Sequence, residues 1–395
     1  GRRVSRLGQL LSQGPLFIVW LIFMMGIVVI IHELGHYLMG RLFGAAVESF
    51  SVGFGRPVFE RKDKVGTRWR VNWIPLGGFV KFVGESQLAG DVGKVEQGPV
   101  GKPYKNLTVW QRMLVSLAGP LANFVLASLI FSLILGTHGR TNYSVGIAAV
   151  VADSPADRGG LKEGDAFVSI NGHPVKDASS ITIPIMLNPN QEMTFEMLRD
   201  GAPVTLKVTP DEVVRENEFG QMVPQATIGI GMARIAVGER IKYNPVEALG
   251  AGVVETGATI DRTVTMLSRI VTGKMSVHTL TGPVGIGDIS RRVVNKVWEQ
   301  PDVSQTAKLE QLFWMLLSIC AAISVGVGFF NLLPLPVLDG GHLVFHAYEA
   351  IVGRELPEKV QEMSLTFGLI LLLGMVVVIT WGDIMETGLF GGTGG

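Results

Sequence analysis

The sequence predicts a polytopic α-helical membrane protein with four transmembrane helices, a membrane-associated β-hairpin loop and an inserted β-rich domain. Three observations carry this. Of the 395 residues, 17% are charged and 47% hydrophobic, whereas a soluble domain carries about 25% charged residues. Four stretches are apolar for long enough to cross a hydrocarbon layer. The segments between them alternate in character and hold Asn-Gly and Asp-Gly pairs, which read as strands joined by tight turns.

The spans are 15–42, 109–136, 312–333 and 359–384, the last most apolar from Ser364 to Trp381. Backbone groups in lipid must satisfy one another, so each span is read as a helix. Residues 1–14 form an N-terminal extracytoplasmic segment and 385–395 a Gly-rich tail. No cleavable signal peptide is expected, because the first apolar run leads straight into a His/Glu cluster. Lys plus Arg and Asp plus Glu are each 34. With no basic arm or acidic tail, a lipid bilayer is the expected environment and nucleic acid is not an expected partner. Cys320 is the single cysteine, which excludes an intramolecular disulfide and a cysteine-rich zinc site.

Region 43–108 holds the hairpin loop. Phe50-Ser51-Val52 and Arg68 to Trp73 alternate as strands do, with Arg61 to Gly66 as the turn and a second extended pair at Phe79 to Phe82. Region 137–237 is the β-rich domain: strands at Ile147–Val151, Ala166–Ile170, Met193–Leu198 and Val204–Val208, a short helix starting at Ser154-Pro155-Ala156, and turns at Asn171-Gly172 and Asp200-Gly201. Region 238–311 contains an amphipathic helix, Pro245 to Val271, then a linker. Leu249, Val253, Ile260, Val264, Leu267 and Val271 form its apolar stripe. It lies on the membrane surface or packs against the β domain; both readings stay open. Residues 334–358 read as a broken segment and loop.

Twelve Lys/Arg lie between Arg41 and Arg112, against Arg2, Arg3 and Arg6 before the first span. The positive-inside rule then favours a cytoplasmic β-loop and a β domain on the periplasmic side.

The chemistry begins at His32-Glu33-Leu34-Gly35-His36. On a helix, i and i+4 share a face, so both imidazoles reach one ion and Glu33 sits beside them to take a proton from the attacking water. Zinc suits the task as Lewis acid and water activator. These residues end an apolar run, at a depth where an ionised side chain costs on the order of 2.5–3.5 kcal/mol. A dication compensates that cost. A catalytic zinc needs a third protein ligand, and Asp339, His342, His346 and Glu349 are the candidates at that depth. Asp339 is preferred because it follows a Pro-broken, almost wholly apolar stretch from Asn331 to Leu338. His342 and His346 repeat the i, i+4 spacing as alternatives. Asn331 either caps a helix end or donates a hydrogen bond to the oxyanion.

HExxH in a first span, paired with Asn331-x-x-Pro334-x-x-x-Leu338-Asp339-Gly340 near a later one, resembles the site-2 proteases, intramembrane zinc metalloproteases. The likeness extends to Gly53-Phe54-Gly55, Ile74 to Lys81, Gly119-Pro120-Leu121-Ala122-Asn123 and Gly282 to Ile286. The resemblance implies Zn2+ held by His32, His36 and Asp339, with Glu33 as general base and Asn331 steadying the transition state. It implies a multi-pass protein of the bacterial inner membrane that carries out regulated intramembrane proteolysis. Its substrates would be transmembrane proteins already shortened by another protease, such as an anti-sigma factor or another single-pass signalling protein. Gly53, Phe54, Gly55, Gly77, Gly78 and Phe79 would present a strand edge to extended substrate; Trp69, Trp73, Phe79 and Phe82 equally suit a membrane anchor.

The β-rich domain resembles a PDZ domain at Ser154-Pro155-Ala156, Gly160-Leu161-Lys162-Glu163-Gly164-Asp165 and Ile170-Asn171-Gly172, with Ile228-Gly229-Ile230 as its carboxylate-binding loop. The regulator-of-sigma-E type within the family carries two such domains in tandem, and this chain shows one. A rival reading is a membrane scaffold whose PDZ domain binds C-termini and which has no need of Glu33. A membrane protease for prenylated proteins is a further rival, but those lack the Leu-Asp-Gly element and the PDZ domain.

Overall fold

The computed structural model describes residues 15–84, 99–216, 222–238, 240–273, 294, 297–298, 300 and 303–387. The N-terminal segment 1–14, the Gly282–Ile286 motif, much of the linker and residues 388–395 of the tail lie outside the described residues. Along the chain, α1 (Pro15–Leu42) is followed by β1 (Val47–Lys62), β2 (Arg68–Phe82) and α2 (Val109–His138). Then come β3 (Tyr143–Val150), α3 (Pro155–Arg158), β4 (Ala166–Ile170), β5 (His173–Pro174), α4 (Ser179–Leu187), β6 (Met193–Arg199), β7 (Ala202–Val208), β8 (Asp211–Glu216), β9 (Met222–Thr227) and β10 (Ile230–Ala236). The order ends with α5 (Pro245–Val271), α6 (Gln305–Asn331), α7 (Asp339–Val352) and α8 (Glu358–Thr387). Two compact units result: 1–134 with 245–395, and 135–244.

In the first unit, Ile22–Leu42 of α1, all of α2 and α6, and Glu358–Gly382 of α8 are long and apolar enough to cross a membrane. Met24 and Val28 of α1, Ala127 and Phe131 of α2, and Cys320 and Val325 of α6 form its core. Small residues let the helices approach closely, as helix packing in lipid requires. A Cβ on Gly35 would collide with the Ala118 carbonyl, and one on Gly328 would stand 3.0 Å from the Pro120 carbonyl oxygen. Helix α6 starts at Gln305, ahead of the expected Leu312, because Ser304 accepts a hydrogen bond from Ala307 N–H as an N-cap.

The amphipathic helix α5 makes close contacts with a helix of its own unit. It runs along α2, where Thr256 Oγ1 and Ser128 Oγ lie 2.9 Å apart and Ser132 Oγ reaches the Leu249 carbonyl at 3.5 Å. Its buried residues are Ala248, Gly252 and Thr256. Of the expected apolar stripe, Leu249, Val253, Val264 and Val271 are exposed, while Ile260 packs against the core. Periodicity located the stripe, but the close contact went to the small residues one position away. Residues 334–358 also differ from a loop: the chain turns through Pro334 and Pro336 and then forms the helix α7. The two glycines after Asp339 allow this, since a Cβ on Gly340 would collide with the Leu332 and Leu333 carbonyls.

Strands β1 and β2 fold back on each other. Val47–Val52 pairs with Gly78–Phe82 (Val47↔Phe82, Val52↔Gly78), and Pro57–Lys62 pairs with Arg68–Asn72 (Lys62↔Arg68). Ser49–Val52 also lies in step with Arg68–Val71, so the first half of β1 is flanked on both sides. The expected second pair at Phe79–Phe82 is thus the end of one long strand. At the tip, the Asp63 carboxylate accepts from Val65 N–H, Thr67 N–H and Trp69 Nε1–H. Burial raises its pKa, but these donors outweigh it and hold the group below the usual carboxylate range.

The second unit is a sheet in the order β10-β3-β4-β6-β7, with β5 on β4 and a separate β8–β9 hairpin. Ile147, Phe167, Ile170, Met193, Phe195 and Ile228 fill its core. Asn171-Gly172 and Asp200-Gly201 have positive φ throughout, as two-residue hairpin turns require. Ser154 caps α3 by accepting from Asp157 N–H. Asp165, fully buried, receives Arg199 through Nε and a terminal nitrogen, each at 2.7 Å, and Lys162 N–H at 2.8 Å. Burial alone would raise its pKa; the Arg199 bonds reverse the sign.

A carboxyl depressed in the folded state stabilises the fold above its unfolded pKa of about 3.9, and that stability is lost as pH falls through the folded value. Asp165→Asn is expected to destabilise this unit by about 2–3 kcal/mol at pH 7. Hydrogen exchange at 166–170, corrected for intrinsic rates, checks both: protection should fall in the variant, and in the wild type below about pH 4.

Candidate metal centre

His32 and His36 occupy one face of α1 and are only 7% and 9% exposed. His36 Nδ1 lies 2.7 Å from the Val115 carbonyl oxygen. A carbonyl only accepts, so Nδ1 carries the proton and Nε2 presents a lone pair. His32 Nε2 is 3.2 Å from that lone pair. Asp339, first residue of α7, places Oδ2 3.0 Å from His32 Nε2 and Oδ1 3.4 Å from His36 Nε2. Yet Oδ2 is buried and receives no aligned hydrogen bond.

These three side chains form a group able to hold a metal ion. Zinc bonds of about 2.0–2.2 Å at tetrahedral angles separate neighbouring donor atoms by roughly 3.3 Å. The two imidazole nitrogens stand at that spacing and each has one carboxylate oxygen of Asp339 at a comparable distance, and two nitrogens with a carboxylate are a donor set zinc accepts. The residues present fit the ion.

Glu33 stands beside the group, and its carboxylate accepts from Val80 N–H of β2. A Cβ on Gly78 would lie 3.4 Å from Glu33 Cγ, so β2 runs against the helix here. All four residues line a cavity of about 830 Å³, shared with Phe79, Asn331, His342, His346 and Glu349. Asn331 ends α6 and donates one amide hydrogen to the Val327 carbonyl at 3.0 Å. His342 and His346 lie outside the convergent set, and Glu349 is taken by Arg112 at 2.6 Å.

The loop residues scatter. Gly53, Phe54, Gly55 and Gly77 are not in the cavity wall; the three glycines have positive φ, and Phe54 stacks on Phe79 with centroids 6.2 Å apart. Ile228, Gly229 and Ile230 belong to the second unit, where the Ile228 carbonyl accepts from Ala156 N–H and that of Gly229 from Val151 N–H.

One part of the site went unread in the sequence, the inner face of α2. Arg112 holds Glu349 of α7, the Val115 carbonyl holds His36, and Asn123 Nδ2 is 3.1 Å from His32 Nδ1. Gly119 leaves room for both rings: a Cβ there would collide with His36 Nε2 and stand 2.9 Å from His32 Nε2. Positions 112, 115, 119 and 123 follow the 3-4-4 spacing of one helix face, a pattern that was available to find them.

Two imidazoles and a carboxylate converging beside a further glutamate, among long apolar helices, are the equipment of a membrane metallopeptidase. Residues 20–375 match peptidase family M50, and the chain belongs to it. A Mesorhizobium japonicum protein named "Putative zinc metalloprotease mll0638" is 37% identical over 376 residues, covering 92% of this chain and 97% of that one. Metalloprotease MmpA of Caulobacter vibrioides is 35% identical over 397 residues, covering 96% and 98%. Among solved structures, the PDZ domain of an SdrC-like protein from Listeria monocytogenes is similar at 18% identity and TM-score 0.19, over 24% of this chain and 90% of that one.

Proposed function

We propose that this chain is a zinc-dependent intramembrane endopeptidase of the bacterial inner membrane, hydrolysing peptide bonds within or beside transmembrane segments. The observation that carries the reading is the convergence of His32, His36 and Asp339 beside Glu33, in a cavity walled by helices apolar enough to span. The charge bias of the loops supports a cytoplasmic β-loop and a periplasmic β domain of PDZ type. Substrates are single-pass proteins already trimmed by another protease.

His32, His36 and Asp339 would hold the zinc, which when bound supplies a Lewis acid for the scissile carbonyl and lowers the pKa of water. Glu33 takes the proton of the attacking water on its carboxylate and returns it to the leaving amine. The Val80 N–H keeps that carboxylate in place. Asn331 has a second amide hydrogen to offer the developing oxyanion. Substrate enters extended, along the edge of β2 at Phe79 and Val80 that faces Glu33.

A helix hides its carbonyls in its own hydrogen bonds, so the scissile segment must unwind. A model span with a Gly-Pro pair is therefore expected to be cleaved at least about tenfold faster than an all-Leu span, since Pro alone weakens a helix by ~3 kcal/mol. Rates measured in detergent alongside metal analysis test this. Equal rates would count against the unwinding step, and no bound zinc would sink the reading.

A further inference from the structure

We propose that Asn123 is a positioning residue that selects the tautomer of His32, turning its carboxamide so that Oδ1 accepts from Nδ1–H when zinc occupies the centre. The inference rests on the zinc-protease reading and adds a role for α2.

The two imidazoles are held by chemically different partners. His36 Nδ1 meets the Val115 carbonyl, which can only accept, so this ring is locked with Nε2 free. His32 Nδ1 meets an amide, which can do either. With Nδ2 towards the ring at 3.1 Å, Nδ1 accepts and the neutral ring's proton sits on Nε2, which faces Asp339 Oδ2 at 3.0 Å. That proton occupies the lone pair a cation needs.

A half-turn of the carboxamide brings Oδ1 to Nδ1, moves the proton there and frees Nε2. Two observations favour the amide having this second orientation in use. Asn123 is fully buried, and its Oδ1 has no hydrogen-bond partner. A buried acceptor left idle is costly; in the second orientation Nδ1–H of His32 satisfies it, while the amide N–H groups take its former place. The backbone is pinned meanwhile, since Ser324 of α6 donates to the Asn123 carbonyl at 2.8 Å, so only the side chain need turn.

The test is zinc affinity by chelator competition on the full chain in detergent. Asn123→Leu removes the acceptor at similar volume and is expected to bind zinc about 10- to 100-fold more weakly, the usual cost of losing a partner behind a ligating histidine. Asn123→Asp keeps an acceptor and is expected to stay within about threefold of wild type. Ser324→Ala leaves the side chain in place and should match wild type. Nitrogen-15 spectra of the zinc-loaded wild type should place the His32 proton on Nδ1.

Wild-type affinity in Asn123→Leu overturns the proposal. So does an Asn123→Asp or Ser324→Ala as weak as Asn123→Leu, or a proton found on Nε2. A wild type that binds no zinc overturns the proposed function instead, and this inference with it.

Discussion

Glu33→Gln is expected to keep its zinc and lose cleavage by about 10²- to 10⁴-fold, the usual weight of a positioned general base. The substitution is nearly isosteric. The glutamine oxygen still accepts from Val80 N–H, so the side chain keeps its place against β2. His32, His36 and Asp339 are untouched. What disappears is a group able to carry a proton from water to the leaving amine. Single-turnover cleavage of a model span, with metal content measured on the same sample, separates the outcomes. Retention of a tenth or more of the rate would show that another group is the base. Loss of zinc would show that Glu33 supports the centre rather than the reaction.

Gly119→Ala is expected instead to weaken zinc binding, and activity with it. The added methyl would collide with His36 Nε2 and crowd His32 Nε2. Retreat of α2 would relieve the clash only by opening the close contact between its Ala118 carbonyl and Gly35 of α1. Overpacking of about 1–3 kcal/mol corresponds to roughly 5- to 150-fold weaker zinc binding. A methyl added to Gly26 of α1 would meet nothing within 4 Å, so Gly26→Ala should bind zinc as the wild type does. If both alanine variants behave alike, the space at Gly119 is not what the imidazoles require.

The parts of the site legible in the sequence were those whose geometry is local. His32, Glu33 and His36 lie within one and a half helical turns, so spacing alone places them on a common face. Asp339 was reachable because a carboxylate is costly after so apolar a stretch. The α2 face was harder to see. Its hold on His36 is a backbone carbonyl, which leaves no mark on residue 115. Gly119 and Asn123 entered only as part of a resemblance, because their use depends on which helix lies opposite. The same reason hid the orientation of α5: periodicity marks a stripe but not whether protein or lipid covers it. For α7, the prolines at 334 and 336 masked a helix that begins directly after them.

The centre also has a timetable. His36 and Asp339 are some three hundred residues apart in the chain. At about 5–20 residues per second, the ribosome delivers the carboxylate roughly 15–60 s after the imidazoles. A chain still being inserted therefore has an incomplete donor set until Asp339 has been made.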